Sequence, residues 1–287
     1  MSQVFAENVL EGKVAFIAGG TRGFNLGIAR CFAEHGAKVA VMSRNEERTA
    51  AAAQSIIDAT GGEAIGLAGD VRDYDRLAEI MAEVAETFGG LDIVVAAQAG
   101  NFYAPAVGMS ANGFKTVVDI DLNGSFNVFR ASFEHLRRPG ASLMAITAPE
   151  GSRPLPFQSH VCSAKAGLNM LCKCLAIEWG PAGVRVNAIS PGPIEDSWGM
   201  KNVIATTPEM KDQITQAVPL KRWGTSEDVE QAALYLASPA SSYVTGAILD
   251  VDGGVVHASP GGDKVDAVHG FKKDPRIKGP GRGRERD

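Results

Sequence analysis

The sequence predicts a doubly wound α/β domain built on a parallel sheet. Short, continuous apolar runs alternate with longer stretches of helical periodicity, the pattern of strands covered on both faces. A glycine-rich turn stands between the first apolar run and the first helix. The chain has 287 residues, 45% of them hydrophobic and 21% charged, which suffices for one large core.

Residues 14–18 read as the first buried strand, and 26–35 as a helix stopped by Gly36. A second strand at 39–42 leads to a helix over 46–60 that ends at Gly61-Gly62. Strand 64–67 precedes a helix over 74–88, and strand 93–96 precedes a long helix over 113–135. Strand 142–146 follows, then a helix over 166–179 that Lys165 opens, then strand 184–189. Helix 226–237 and strand 247–251 close the domain. Between 194 and 220, Trp198, Met200, Ile204, Met210 and Val218 are apolar among polar neighbours. That stretch reads as a mobile flap over the crevice at the strand C-terminal edge. The domain is set at 1–258. Residues 259–287, rich in Gly and Pro and ending Arg282-Gly283-Arg284-Glu285-Arg286-Asp287, read as a solvated tail.

A net charge of -5 argues against nucleic acid as a partner. No apolar run is long enough for a membrane span, and residues 1–8 have no leader pattern. Cys31, Cys162, Cys172 and Cys174 lack zinc or redox spacing, since only Lys173 separates the last two. They read as buried thiols, with no metal, in a reducing cytoplasm.

The turn Gly19-Gly20-Thr21-Arg22-Gly23-Phe24-Asn25-Leu26 carries the first chemistry. Glycines there let a pyrophosphate approach the backbone, and the following helix offers its N-terminal amides and dipole. Gly19, Thr21, Gly23, Asn25 and Leu26 are the candidate contacts. Strand 2 ends in Ser43-Arg44, with no acid to hold a ribose 2'-hydroxyl. Arg44 and Arg22 suit a 2'-phosphate, so the expected cofactor is NADPH/NADP.

These features, with the segment His160-Val161-Cys162-Ser163-Ala164-Lys165-Ala166-Gly167, resemble the short-chain dehydrogenase/reductases. The resemblance implies a single Rossmann-fold domain in which Lys165 binds the nicotinamide ribose. It implies adenine contacts at Asp70 and Val71, although Asp70 also reads as a helix cap. Ala97 and Gly100 would run beside the cofactor, and Pro191, Gly192 and Ile194 would form the nicotinamide-side turn. The chain departs from that pattern at several points. Asn25 replaces the third glycine, and Asn tolerates left-handed backbone better than most residues. Ala97-Gln98 replaces a pair of asparagines. Val161 stands where the family has its acid Tyr, the family Ser falls near Ala148, and the family Asn falls on Asp121. Ketone reduction needs an acid at the carbonyl oxygen, so this set does not suit it.

A narrower resemblance fits the loss. The segment Gly100-Asn101-Phe102-Tyr103-Ala104-Pro105, the run Asp119-Ile120-Asp121, Gln158 with His160, Glu178-Trp179-Gly180-Pro181 and Pro191-Gly192-Pro193-Ile194 resemble 2,4-dienoyl-CoA reductases, the peroxisomal type most closely. That implies NADPH-dependent reduction of a conjugated carbon–carbon bond in a dienoyl-CoA or related enoyl thioester. Asp121 would serve the proton path and Asn123 would donate to the thioester oxygen. Lys165 would supply positive charge, with Ser163 and His160 in secondary roles. It also implies a homotetramer. Two other readings stay open: a carbonyl or alcohol oxidoreductase with relocated acids, and a catalytically silent NADPH-binding protein.

Overall fold

Seven parallel strands form one sheet in the order β3-β2-β1-β4-β5-β6-β7. In the computed structural model, which describes residues 4–197, 200 and 205–258, these are β1 Val14–Ala18, β2 Lys38–Ser43, β3 Ala64–Ala68, β4 Ile93–Ala96, β5 Ser142–Ile146, β6 Arg185–Pro191 and β7 Ile248–Val251. The order reverses between β1 and β4, which opens a crevice beyond their C-terminal ends. Ala18 pairs with Met42 on one side and Ala96 on the other, so the three loops that matter leave the sheet at one level.

Both faces of the sheet are covered, which explains the unbroken apolar runs. Side chains alternate along each strand, so Phe16 and Ile17 point to opposite layers. Phe16, Met42 and Val94 pack with Ile80 of α3 (Tyr74–Phe88), Phe129 of α5 (Gly124–Ser132) and Leu168 of α6 (Ser159–Trp179). Ile17, Val41 and Val95 pack with Phe32 of α1 (Gly23–Glu34), Ile56 of α2 (Glu46–Thr60) and Leu234 of α8 (Ser226–Ala237). Helix starts follow the expected caps: Asn45, Asp73 and Thr225 each accept a first-turn N–H with their side chains.

Three elements differ from the sequence reading. Helix α6 starts at Ser159 rather than after Lys165, because His160, Val161, Ala164, Lys165 and Leu168 all turn inward and continue the buried face backwards. The stretch 113–135 is not one regular helix. It is α4 (Ala111–Val118), a π-helical turn at Asp119–Asn123, α5, and a 3-10 turn at Phe133–His135. The flap region carries a helix, α7 (Pro208–Ala217). Thr207 caps it through Met210 N–H, and Pro208 occupies its first turn, a signal present in the sequence. Met200 and Val218 of that region are buried and Met210 is exposed, while Trp198 and Ile204 lie outside the described residues. The 259–287 tail also lies outside them.

Candidate active site

A cleft of about 880 Å³ opens at the reversal point of the sheet. Its cofactor half begins at Gly19, whose φ of +81° is left-handed and whose Cβ, if present, would sit 2.9 Å from Gln98 N. Only glycine fits there, which holds the loop flush against the β4 exit. Helix α1 starts at Gly23 with no side-chain cap from Arg22, so its first-turn amides remain available to an anion. Thr21, Arg22, Gly23 and Asn25 line the cleft. Asn25 does so in ordinary helical backbone. Its role is a bridge: Nδ2 donates to Ala97 O at 3.0 Å and to Gly19 O at 3.4 Å, tying the two loops together. Leu26, expected as a contact, instead packs into the sheet–helix core.

The far end of this half is cationic. Ser43 and Arg44 line it as expected, with Arg48, which the sequence reading missed, one turn further into α2. Arg44 and Arg48 are exposed to solvent. Asp70 and Val71 line the same end. Asp70 is no helix cap, since Asp73 takes that role for α3. Its carboxylate pairs with Arg72, at 2.6 Å between Oδ2 and the guanidinium, and this partner holds it below the usual carboxylate range.

The chemistry-bearing pair sits at the centre. Lys165 Nζ lies 3.2 Å from Asp121 Oδ2 and donates to Ile146 O at 3.0 Å. Asp121 Oδ1 accepts Gly100 N–H at 2.7 Å. Both side chains are at least 95% buried yet border the cleft. The Oδ2–Nζ contact lacks hydrogen-bond alignment, so Oδ2 is buried beside Lys165 with no hydrogen-bond partner. Burial of this kind demands a partner for each charge, and each is the other's.

The π-helical turn is what aims Asp121. A π turn disturbs the i−4 ladder and leaves carbonyls to be satisfied otherwise. Ser125 Oγ donates to Asp121 O at 2.7 Å, and Gln98 Nε2 donates to Ile120 O at 3.2 Å and to Ser125 Oγ at 2.9 Å. Gln98 thus reaches from the β4 exit across to the turn, filling the place of the missing asparagines.

Ala97 and Gly100 line the cleft, as do Pro191 and Gly192 at the end of β6. Ile194 does not. It is buried and bridges to Gly224. Three expected catalytic candidates are also corrected. Asn123 turns outward and donates to Asp119 Oδ1 at 3.0 Å, so it cannot reach a thioester oxygen. Ser163 lies on the exposed face of α6, two residues along from Val161 and away from Lys165. His160 is fully buried behind the cleft, its ring 4.4 Å from that of Phe102. Burial pushes its pKa down. Val161 borders the cleft and carries no proton. Of the four thiols, Cys31 and Cys172 are buried, each pushed up to about 12, chiefly by burial. Cys162 is half-buried, and Cys174, against expectation, is exposed. Among the described residues, no group of three or more His, Cys, Asp and Glu side chains could hold a metal, and no helix is long and apolar enough to cross a membrane.

The substrate half holds side chains that the sequence reading did not assign: Thr147, Glu150, Arg153 and Leu155 from the loop after β5, and Tyr103 from the loop after β4. Met200, Ile214 and Ala217 face them from the flap.

A family model for enoyl-(acyl carrier protein) reductase matches residues 18–256. The chain is 40% identical over 252 residues to the peroxisomal 2,4-dienoyl-CoA reductase of Pongo abelii, covering 88% of this chain and 86% of that one. It is 38% identical over 253 residues to the peroxisomal 2,4-dienoyl-CoA reductase of Saccharomyces cerevisiae, covering 87% and 86%. Among solved structures, gluconate 5-dehydrogenase from Burkholderia cenocepacia in complex with NADP and tartrate superposes with a TM-score of 0.81 at 27% identity, covering 87% of this chain and 97% of that one. The peroxisomal relatives overturn the cytoplasmic expectation. Free thiols do not distinguish one reducing compartment from another.

Proposed function

The chain belongs to the short-chain dehydrogenase/reductases, and on that premise we propose that it reduces a conjugated carbon–carbon bond of a 2,4-dienoyl-CoA, or a related enoyl thioester, with NADPH. One observation carries the reading: the Lys165–Asp121 pair is retained and opens to the cleft, while Ala148 and Val161 offer no hydroxyl. A ketone oxygen must be protonated as it is reduced, and the two positions beside Lys165 that would supply that acid carry Ala and Val. A conjugated thioester separates the two needs. Charge collects on its oxygen, which asks for hydrogen-bond donors, and the proton goes later to carbon.

The cofactor half suits a dinucleotide phosphate: a glycine cradle that a Cβ would fill, helix amides with no side-chain cap, and Arg44 and Arg48 at the far end. NADPH held there would supply the hydride. Lys165 would bind the ribose side and lend positive charge. Asp121, which borders the cleft and whose Oδ2 has no hydrogen-bond partner, would hold or relay the proton destined for carbon. Homotetramer assembly belongs to the same reading. It is supported by an apolar outer surface on α5 and α6, where Phe126, Met170 and Ile177 are exposed. Sedimentation at micromolar concentration tests it, and a monomer would count against it.

The activity test follows NADPH absorbance with a 2,4-dienoyl-CoA and then with a ketone panel. Oxidation with the dienoyl thioester and none with ketones is expected. The reverse would assign a carbonyl reductase, and binding of NADPH without oxidation by either would assign a silent cofactor-binding protein.

A further inference from the structure

We propose that Gln98 is a positioning residue for the proton step: it braces the π-helical turn that carries Asp121, and so sets how quickly that carboxylate can serve the substrate carbon. This rests on the dienoyl-thioester reading above and deepens it. Asp121 can act only from one place, beside Lys165 at the border of the cleft. The turn that holds it there does not sustain itself.

The turn at Asp119–Asn123 carries a deficit. Gly124 N–H reaches back five residues to Asp119 O, so Ile120 O loses the donor that a regular helix would give it. A half-buried carbonyl left in that state is costly. Gln98 Nε2 supplies the donor at 3.2 Å. The same nitrogen donates to Ser125 Oγ at 2.9 Å, and Ser125 Oγ in turn donates to Asp121 O at 2.7 Å. Both amide hydrogens are thus committed to the turn, and the chain of bonds ends on the backbone of Asp121 itself. Bonds in series polarise and strengthen one another.

The other end of the brace is backbone. Two residues after Gln98, Gly100 N–H donates to Asp121 Oδ1 at 2.7 Å. The fit is close there, since a Cβ on Gly100 would lie 3.3 Å from Ile120 Cδ1. The exit of β4 therefore holds Asp121 twice, by its main chain through Gln98 and by its side chain through Gly100. β4 lies between β1 and β5 and is buried along its whole length, so the brace stands on the centre of the sheet. On the opposite side of the carboxylate, Oδ2 is 3.2 Å from Lys165 Nζ. Any rotation of the turn would shift Oδ2 against Lys165 and against a bound substrate. A misplacement of about 1 Å can cost about a hundredfold in rate.

Gln98→Met keeps the length of the side chain and removes both donors. In the full-length protein, kcat with a 2,4-dienoyl-CoA should fall about tenfold, short of the cost of a full ångström. KM and NADPH affinity should stay within about twofold, the pattern of a loss confined to the transition state. Gln98→Asn keeps the amide but shortens its reach, and its rate should lie between the two. The solvent deuterium isotope effect on kcat should rise in Gln98→Met, because the proton step alone has slowed. The Asp121→Asn background separates placement from general damage: with no carboxylate to aim, Gln98→Met should cost less than about twofold there. Wild-type rates in Gln98→Met, or equal losses in the two backgrounds, overturn the positioning role. One readout needs no turnover. The Gly100 amide, held by Asp121, should exchange its hydrogen about tenfold faster in Gln98→Met. Unchanged exchange there overturns the brace itself. A wild type inactive with every dienoyl thioester overturns the rate claim together with the reading beneath it, while Gly100 exchange still judges the brace.

Discussion

The two halves of the cleft are built by opposite means. In the half proposed for the cofactor, recognition would fall mostly to the backbone: left-handed Gly19, the amides at Gly23 and the Asn25 bridge between loops. In the half proposed for the substrate, the lining is made of side chains, with Tyr103, Glu150 and Arg153 from the strand-end loops and Met200 and Ile214 from the 194–220 region. A backbone device tolerates almost no substitution at its few glycines and much around them. A side-chain device can lose one hydroxyl, as at Val161, and keep its other groups. The Lys165–Asp121 pair is where the halves meet, and it belongs to both.

Breaking that junction should therefore have the largest effect. Lys165→Ala leaves Asp121 buried without its counter-charge. About 3–5 kcal/mol of stability should be lost, and dienoyl reduction should fall by about a hundredfold or more. Asp121→Asn keeps the acceptor for Gly100 N–H but removes the titratable group. It should lose turnover on a similar scale while still binding NADPH. Thermal unfolding and single-turnover kinetics, run side by side, separate the two effects. If Asp121→Asn turns over at the wild-type rate, the carboxylate is structural, and the proton has another source.

How much of this was legible depended on how each feature is encoded. The sheet, its two layers and the glycine turn at the cleft were legible, because apolar runs and glycine turns act through local rules. Even so, Leu26 and Ile194 were misplaced, since adjacency in sequence to a cleft loop does not say which way a side chain faces. Asn123 was misplaced for a subtler reason. The π-helical turn at Asp119–Asn123 changes which residues of that helix face inward, and nothing in a 3.6-residue period announces it. Gln98 could be seen as a departure, but not as the group that props the turn. Arg48 lay within reach, one turn beyond Arg44. Tyr103 and Glu150 were not, because only the folded loops bring residues 103 and 150 to the same wall.

The next effect sharpens the backbone side. Gly19→Ala forces an L side chain into left-handed backbone, with its Cβ 2.9 Å from Gln98 N. It should cost about 1–3 kcal/mol and weaken NADPH binding with little change in substrate specificity. A variant with wild-type NADPH affinity would show that the loop has slack. Arg44→Asp should be milder. It should cost about tenfold in NADPH affinity, the scale of one charge-assisted hydrogen bond, and narrow the gap to NADH. Arg48 remains at the same end, so preference should shift rather than invert. Equal binding of NADH and NADPH by the wild type would remove the basis for this prediction.

The smallest effect is expected at the position whose identity first set this chain apart. Val161 is 3% exposed and packs with Val117 and Ala164 beside the cleft. Val161→Ala removes two methyl groups from that cluster and should cost about 1 kcal/mol of stability, near the value of one buried methylene, because the open cleft beside it lets the site relax. It should leave kcat close to wild type, since a Val has no proton to give. The informative comparison is with Asp121→Asn, which exchanges one carboxylate oxygen for an amide nitrogen and removes no packing. If the substrate half works through placed polar groups, the less disruptive substitution should be the one that abolishes most of the rate. Should Val161→Ala instead slow turnover as much as Asp121→Asn, that half of the cleft acts by shape, and the carboxylate is incidental.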